Sequence, residues 1–221
     1  MSFSMEWDEK YKENTHMSIW PWSDVVSYVM RYAKPQNSDI RVLELGCGAG
    51  ANIPFFKKLG VKYYAIEGSL TIVEKLKKQY PEYSENIVVG DFTKEIPFEG
   101  DFDIILDRAA LTCNSTNSII QTLSLISNKI KKGGKFIGID WYSTEYSEYK
   151  NGEQAEDINT RKNFTTGNFA NTGRVHFSDE THLKEIFSNF VIEIMEHKTI
   201  NRSIPNDGYN FASWNFIARK D

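Results

Sequence analysis

The nine residues Val-Leu-Glu-Leu-Gly-Cys-Gly-Ala-Gly, at positions 42–50, join an apolar run to three closely spaced glycines. Glycine lacks a Cβ atom, so Gly46, Gly48 and Gly50 allow the backbone to turn tightly and to approach a ligand at the carboxyl edge of a parallel sheet. Because Gly46, Gly48 and Ala51 also satisfy the GxGxxG/A pattern, the glycine spacing alone leaves a nicotinamide nucleotide open. The segment predicts a strand, a ligand-binding turn and a helix.

Further short runs rich in apolar and β-branched residues predict the other strands of this sheet. With the first strand, they cover residues 40–45, 61–66, 86–89, 102–106 and 135–139. Helical patterns separate them: Ser69 begins one that includes Leu70, and another extends from Ile119 through Ile130 to Gly133-Gly134. Alternation of strands and helices predicts a parallel sheet with helices on both faces.

The pattern changes after the fifth strand. Residues 141–175 are polar with scattered aromatic residues and no sustained period, which predicts a long loop or lid. The last two apolar runs, at 191–200 and 209–219, are joined by a connection too short for a helical crossover. We therefore expect the final two strands to form an antiparallel pair.

The length and composition are those of one globular domain. The chain has 221 residues, of which 40% are hydrophobic, and this is enough to bury a full core. We expect residues 38–221 to form the domain, with a lid insertion at about 141–175. Residues 1–37, which include a helix beginning at Ser23, are expected to form an N-terminal helical lid segment.

Charge, apolar content and cysteine count argue against several classes of binding partner. The net charge of −4 gives no general attraction for nucleic acid or anionic lipid. No run approaches the ~20 apolar residues that span a bilayer, so we expect a cytoplasmic protein without membrane contact. Cys47 and Cys113 are too few for a disulfide framework and stand outside any metal-binding pattern, so no metal is expected. The oligomeric state is left open.

Acidic residues end the second and third predicted strands. Glu67 stands where a carboxylate accepts hydrogen bonds from two ribose hydroxyls. Asp91 and Phe92 follow the third strand, where an acid and a ring suit the amino group and face of adenine, although Asp91 also suits a turn cap. Together these residues predict a ligand that contains adenosine.

These motifs resemble the class I S-adenosylmethionine (SAM)-dependent methyltransferases. The resemblance rests on residues 43–50 (LELGCGAG), on Glu67 and on Gly-Asp-Phe at 90–92. It implies an α/β fold with a doubly wound, seven-stranded, Rossmann-like sheet that is mostly parallel and ends in an antiparallel strand pair. It also implies SAM as the cofactor, with the glycines near its methionine part, Glu67 at the ribose and residues 91–92 at the adenine.

The fourth strand is expected to end near the reacting methyl group. It continues into Asp107-Arg108-Ala109-Ala110 and not into the Asn/Asp-Pro-Pro-Tyr/Phe turn of methyltransferases that act on nucleobase amines, which disfavours such an acceptor. The cofactor-binding residues that the resemblance implies are Glu44, Gly46, Gly48, Gly50, Glu67, Gly68, Asp91, Phe92 and Asp107.

An alcohol acceptor would need a base within about 3 Å of its hydroxyl proton. By position, the predicted catalytic residues are Asp107, Asp140 and His176. Each also suits a structural role: Asp107 can bind a loop amide or the methionine ammonium, Asp140 can cap a turn, and an isolated histidine is often structural.

The acceptor itself is expected to meet one cation and several aromatic rings. The guanidinium of Arg108 suits a carboxylate or phosphate, although it also suits a neighbouring surface acid. Aromatic rings stack on sugar faces and exclude water, and they equally suit core packing. The predicted substrate-binding residues are Arg108, Trp20, Trp22, Trp141 and Tyr142.

The leading hypothesis is methyl transfer from SAM to a small-molecule acceptor, for example a sugar or sugar-nucleotide hydroxyl. Protein or tRNA methylation is an alternative within the same fold. Tyr146 and Lys150 have the spacing of a TyrxxxLys pair and keep a nicotinamide-dependent reductase open. A catalytically inactive binding module is a fourth possibility.

Overall fold

A computed structural model describes residues 5–13 and 17–221, so residues 1–4 and 14–16 of the predicted N-terminal lid segment lie outside the described residues. The strands are β1 Arg41–Leu45, β2 Lys62–Glu67, β3 Ile87–Val89, β4 Phe102–Arg108, β5 Ile130–Tyr142, β6 Glu153–Gln154, β7 Thr160–Lys162, β8 Val175–His176, β9 Val191–Asn201 and β10 Asn210–Arg219. The α-helices are α1 Met5–Lys12, α2 Ser23–Tyr28, α3 Ile53–Leu59, α4 Leu70–Gln79, α5 Thr116–Ser127 and α6 Glu180–Ile186.

Seven strands form the main sheet in the order β3-β2-β1-β4-β5-β10-β9. The first five are parallel, and β10 pairs antiparallel with both β5 and β9. The predicted fold is therefore confirmed. Strand order reverses between β1 and β4, so their loops leave in opposite directions and open a crevice at the carboxyl edge.

Hydrophobic layers cover both faces of the sheet, as expected for a doubly wound fold. Successive residues of β1 alternate between them: Val42 packs with Phe56 and Tyr63 on one face, and Leu43 packs with Phe136 on the other. This alternation fixes which side chain at each strand end faces the crevice.

Two helical predictions need correction. The stripe through Ile130 to Gly133-Gly134 is wrong, because α5 ends at Ser127 and Ile130 begins β5, where it pairs with Phe102 of β4. Pairing within the sheet overrides the helical spacing here. Ser69 does cap α4, accepting a hydrogen bond from the Ile72 amide at 3.2 Å, but the predicted stripe residue Leu70 is exposed.

The predicted loop at 141–175 is largely folded. Strand β5 extends to Tyr142, and the rest, which we call the insertion (residues 143–176), contains a 3-10 helix and the small antiparallel sheet β6-β7-β8. Phe164 and Phe169 lie in a separate hydrophobic cluster with Tyr146. Strands of two or three residues are too short to show a period, so the sequence reads as a loop.

The lengths of the helices bear on whether the chain could cross a membrane. Within residues 5–13 and 17–221, no helix is both long and apolar enough to cross a membrane.

Candidate active site

A cavity of about 710 Å³ opens at the carboxyl ends of the five parallel strands. Its two halves differ in composition. We call the part lined by residues from 44–52, 67–68 and 90–92 the cofactor half. The acceptor half is lined by Trp22 and by residues from 108–114, 142–146, 168–175 and 209–211.

The glycine turn after β1 forms the floor of the cofactor half. Gly46, Gly48 and Gly50 all have positive φ, at 63°, 51° and 79°. A Cβ atom on Gly48 would lie 3.1 Å from the Tyr11 hydroxyl, across the cavity. Gly50 does not line the cavity, and its Cβ atom would instead lie 2.6 Å from Leu76 on α4. Gly50 thus serves helix packing, and the predicted ligand contact falls to the other two glycines.

Glu67 joins the end of β2 to the glycine turn. Its carboxylate accepts hydrogen bonds from the backbone amides of Gly48 at 2.8 Å and Ser69 at 3.0 Å. The side chain is buried, and burial raises its pKa although the amides oppose this. Glu67 and Gly68 both line the cavity. The carboxylate therefore holds the turn in shape as well as facing the ligand space.

Glu44 is a second buried acid in this half. It accepts hydrogen bonds from Tyr63 Oη at 2.6 Å and Asn52 Nδ2 at 2.8 Å. Burial raises its pKa to about 7, with both hydrogen bonds opposing the rise. Asn52 also accepts a hydrogen bond from the Trp22 amide, and so ties the N-terminal segment to the glycine turn.

Asp91 and Phe92 line the cofactor half beyond β3. Asp91 Oδ1 accepts hydrogen bonds from the amide and hydroxyl of Thr93, so the alternative role as a turn cap is also present. With Glu44 and Glu67, it places three carboxylates around this half of the cavity.

The acceptor half has one cationic side chain among the described residues that line it. Arg108, at the end of β4, stacks its guanidinium 3.6 Å from the ring centroid of Trp22. One nitrogen, Nη2, donates to Asp140 Oδ2 at 3.0 Å, and Nε is buried without a hydrogen-bond partner. The side chain is 27% exposed. Arg108 is therefore held in place and retains donors for a ligand.

Of the other predicted substrate-binding residues, Trp22 and Tyr142 line the cavity and two do not. Trp20 is 77% exposed to solvent. Trp141 is fully buried and packs edge-on against Phe187 in the core. Neighbouring residues of a strand point to opposite faces, so Tyr142 and Trp141 cannot both face the cavity.

None of the three predicted catalytic residues lines the cavity. Asp107 is fully buried, and its Oδ1 accepts hydrogen bonds from the amides of Ala110 and Leu111. Burial raises its pKa to about 7, with the two amides opposing. Asp107 thus holds the turn after β4, on the side of the strand opposite to Arg108.

His176 and Asp140 have other partners. At the end of the insertion, His176 Nε2 lies 3.2 Å from both Ser178 Oγ and His182 Nε2 of α6. Burial lowers its pKa to about 3, and so keeps it neutral. Asp140 is buried in ion pairs with Arg108 and Lys198. The expectation that these residues supply a base facing the acceptor does not fit their positions.

The mouth of the acceptor half contains residues that sequence patterns did not identify. Asn168 Nδ2 donates to the hydroxyls of Tyr146 at 2.7 Å and Tyr209 at 3.2 Å, and so links the insertion to the start of β10. They are distant in sequence, and only the aromatic content of the insertion hinted at a packed wall. Lys150 is exposed and does not line the cavity, so the TyrxxxLys pair is not assembled there.

Across the part of the chain that the structure describes, no group of three or more His, Cys, Asp or Glu residues is placed to hold a metal ion.

Comparison with known proteins identifies the family. Residues 15–196 match the family model described as a methyltransferase domain. This match covers most of the chain, which therefore belongs to the class I SAM-dependent methyltransferases and has SAM as its cofactor. The nicotinamide-dependent reductase is thereby excluded.

One curated relative and several solved structures extend this result. A malonyl-[acyl-carrier protein] O-methyltransferase from Priestia megaterium is 26% identical over 167 residues, or 73% of this chain. The chain spans only 57% of the length of that relative.

The structural neighbours share the fold at low sequence identity. A SAM-dependent methyltransferase from Methanosarcina mazei has a TM-score of 0.69 at 14% identity, covering 91% of this chain and 98% of that one. A magnesium protoporphyrin IX methyltransferase from Synechocystis PCC 6803, solved with bound SAM, has a TM-score of 0.56 at 14% identity, covering 89% and 77%.

Proposed function

We propose that this protein transfers the methyl group of SAM to a carboxylate oxygen of a small organic acid. The observation that carries the proposal is the composition of the acceptor half. Among the described residues that line it, Arg108 is the one charged side chain, and there is no carboxylate, histidine or lysine.

The cofactor half suits SAM on its own evidence. SAM carries a sulfonium and an ammonium group, and Glu44, Glu67 and Asp91 place carboxylates around this part of the cavity. Gly48 lines the cavity and has no side chain, so a ligand can approach its backbone closely. These residues would hold SAM, and when bound it supplies the electrophilic methyl group.

The absence of a carboxylate, histidine or lysine among the described residues that line the acceptor half favours an acceptor that is already ionised. An alcohol must lose its proton during methyl transfer, whereas a carboxylic acid with a pKa near 4 is deprotonated at neutral pH. The three residues predicted to act as bases, Asp107, Asp140 and His176, do not line the cavity and are held by other residues of the protein. A carboxylate therefore fits this site better than the sugar hydroxyl suggested by sequence.

Arg108 would bind and align the acceptor. A guanidinium pairs with a carboxylate through two parallel hydrogen bonds, which fixes the orientation of its oxygens. Such alignment is a main source of rate in an in-line displacement. The role of Arg108 in this reaction is to hold one carboxylate oxygen towards the methyl group without taking up a proton.

The remaining walls indicate the body of the acceptor. Tyr142, Phe169 and Phe211 present aromatic rings to this half, and Tyr142 and Phe169 pack edge-on with centroids 4.8 Å apart. Aromatic surfaces favour an apolar or aromatic portion. The relative from Priestia megaterium adds support, because a malonyl group also presents a carboxylate to an O-methyltransferase.

The test is turnover of SAM with matched acceptors. Benzoate, phenylacetate, hexanoate and malonyl carried on an acyl-carrier protein would be compared with the corresponding amides and alcohols. We expect release of S-adenosylhomocysteine and a methyl ester, detected by mass spectrometry, with one or more acids only. Methylation of the alcohols or amides without the acids would contradict the proposal.

A further inference from the structure

Behind the acceptor half lies a row of four alternating charges, of which the proposed reaction uses only Arg108 directly. It runs from Arg108 through Asp140 and Lys198 to Asp24. Lys198 Nζ lies 2.6 Å from Asp140 Oδ1 and 2.6 Å from Asp24 Oδ2. The four residues come from β4, β5, β9 and α2, so the row exists only in the folded protein.

The two oxygens of Asp140 are divided between different donors. Oδ1 accepts from Lys198 at 2.6 Å and from Ser213 at 3.3 Å, whereas Oδ2 accepts from Arg108 Nη2 at 3.0 Å. Arg108 is thus paired through one nitrogen, and its Nε is left without a partner. Because Arg and carboxylate otherwise favour a two-bond pair, this single bond needs a cause.

We propose that Lys198 is a positioning residue that keeps Arg108 able to bind an anionic acceptor, an inference that rests on the proposed function. By holding Asp140 Oδ1, Lys198 prevents Asp140 from engaging both sides of the guanidinium. It also balances the charge of the row, which has two cations and two anions. Without Lys198 the row would carry a net charge of −1 and would repel an acid.

Lys198 is well fixed for this role. Its ammonium contacts both aspartates and lies 5.3 Å from the ring centroid of Phe211, which lines the cavity. Burial alone would lower the pKa of Lys198, but the hydrogen bonds that its ammonium donates to the two aspartates more than offset this and raise it. The side chain therefore stays charged across the neutral range.

The experiment measures binding of phenylacetate to protein saturated with S-adenosylhomocysteine, together with KM and kcat. Lys198→Gln removes the charge and keeps a hydrogen-bond donor for Asp140, and Lys198→Arg restores the charge. Lys135→Met is the control, because Lys135 is similarly half-buried and pairs with Glu193 away from the cavity.

We expect Lys198→Gln to weaken phenylacetate binding about tenfold, the loss of roughly one charged hydrogen bond, with a matching rise in KM and kcat within about threefold. Lys198→Arg should restore most of the affinity, and Lys135→Met should bind normally. A purely structural role would lower thermal stability without this separation of KM from kcat.

Unchanged phenylacetate binding in a folded Lys198→Gln variant would overturn the inference. If wild-type protein binds phenylacetate in a Lys198-dependent way but forms no ester from any acid, the inference stands and the proposed function falls. If wild-type protein binds none of phenylacetate, hexanoate, benzoate and malonyl carried on an acyl-carrier protein, both fall.

Discussion

The two halves of the cavity are built from different parts of the chain. The cofactor half comes chiefly from three strand ends at 44–52, 67–68 and 90–92, and backbone amides donate directly to Glu67 within it. The acceptor half is built from side chains that the fold brings together from distant segments, such as Arg108 and Tyr209. A site built from the turns at strand ends is specified by short sequence motifs. A site built from side chains of distant segments depends on the whole fold.

The halves also differ in charge. The cofactor half has three carboxylates, and the acceptor half has one guanidinium. Opposite charges at the two ends suit a cationic methyl donor and an anionic acceptor, and they predict that each ligand can be disturbed separately. The predictions below test that separation.

We expect the largest effect, a loss of cofactor affinity, from Gly48→Val. The branched side chain would displace Tyr11 and strain a residue with φ 51°, so affinity for S-adenosylhomocysteine, measured by calorimetry, should fall at least about 100-fold. Gly60→Val is the matched control, because Gly60 has φ 70° and a Cβ atom there meets nothing within 4 Å. Equal losses in the two variants would mean that backbone strain, and not the ligand space, is responsible.

The next largest effect is expected on acceptor binding alone. Arg108→Gln should raise the acceptor KM about 30-fold or more, because it removes the charge that pairs with the acid. Affinity for S-adenosylhomocysteine should stay within about threefold, since Arg108 lies in the other half. Arg219→Gln is the control: Arg219 is 33% exposed and pairs with Glu193. Loss of cofactor affinity in Arg108→Gln would show that the halves are not separate.

Much of the fold was predictable because its signals are local. The glycine turn, the strand periodicity and the short connection before β10 each specify an element within a few residues. The error at Ile130 arose where pairing between distant strands decided the structure. The insertion was missed as a folded unit because its strands span only two or three residues.

The site divides in the same way. Among the predicted cofactor residues, Gly46, Gly48 and Glu67 line the cavity, since position after a strand determines where they lie. Trp141 was misplaced because one position along a strand changes the face, and this register cannot be read from an apolar run. The capping partners of Asp107 likewise appear only once the turn is folded.

A smaller effect is expected from Glu67→Ala, which should change both cofactor affinity and the stability of the fold. Glu67 is buried and accepts hydrogen bonds from two backbone amides. Glu67→Ala should therefore lower the free energy of unfolding by about 1–3 kcal/mol and weaken cofactor binding about tenfold. Glu82→Ala, which removes an exposed partner of Lys57, should leave the stability nearly unchanged, because solvent screens an exposed ion pair. Denaturant unfolding and calorimetry measure the two quantities. Lost affinity at full stability would mean that Glu67 acts only on the ligand.

The smallest effect should distinguish the insertion from the glycine turn by pH in the ligand-free protein. His176 has a folded pKa of about 3, below its unfolded value of 6.5, so its contribution is present above pH 6.5 and is lost as pH falls. Glu44 has a folded pKa of about 7, above its unfolded value of 4.5, so its contribution is lost as pH rises towards 7. Acidification should therefore weaken the insertion and strengthen the glycine turn.

Between pH 7 and pH 5 each change amounts to about 2 kcal/mol, and the two have opposite signs. Because the pKa of Asp107 is also raised to about 7, global unfolding adds a third response, and the two must be resolved locally. Amide exchange, corrected for the intrinsic effect of pH on exchange rates, should show protection falling around His176 and rising around Glu44. Glu44→Gln and His176→Gln place neutral amides at the two positions, and each should abolish only its own response. If protection fell together around His176 and around Glu44, the insertion and the glycine turn would respond to acid as one cooperative unit and not as two.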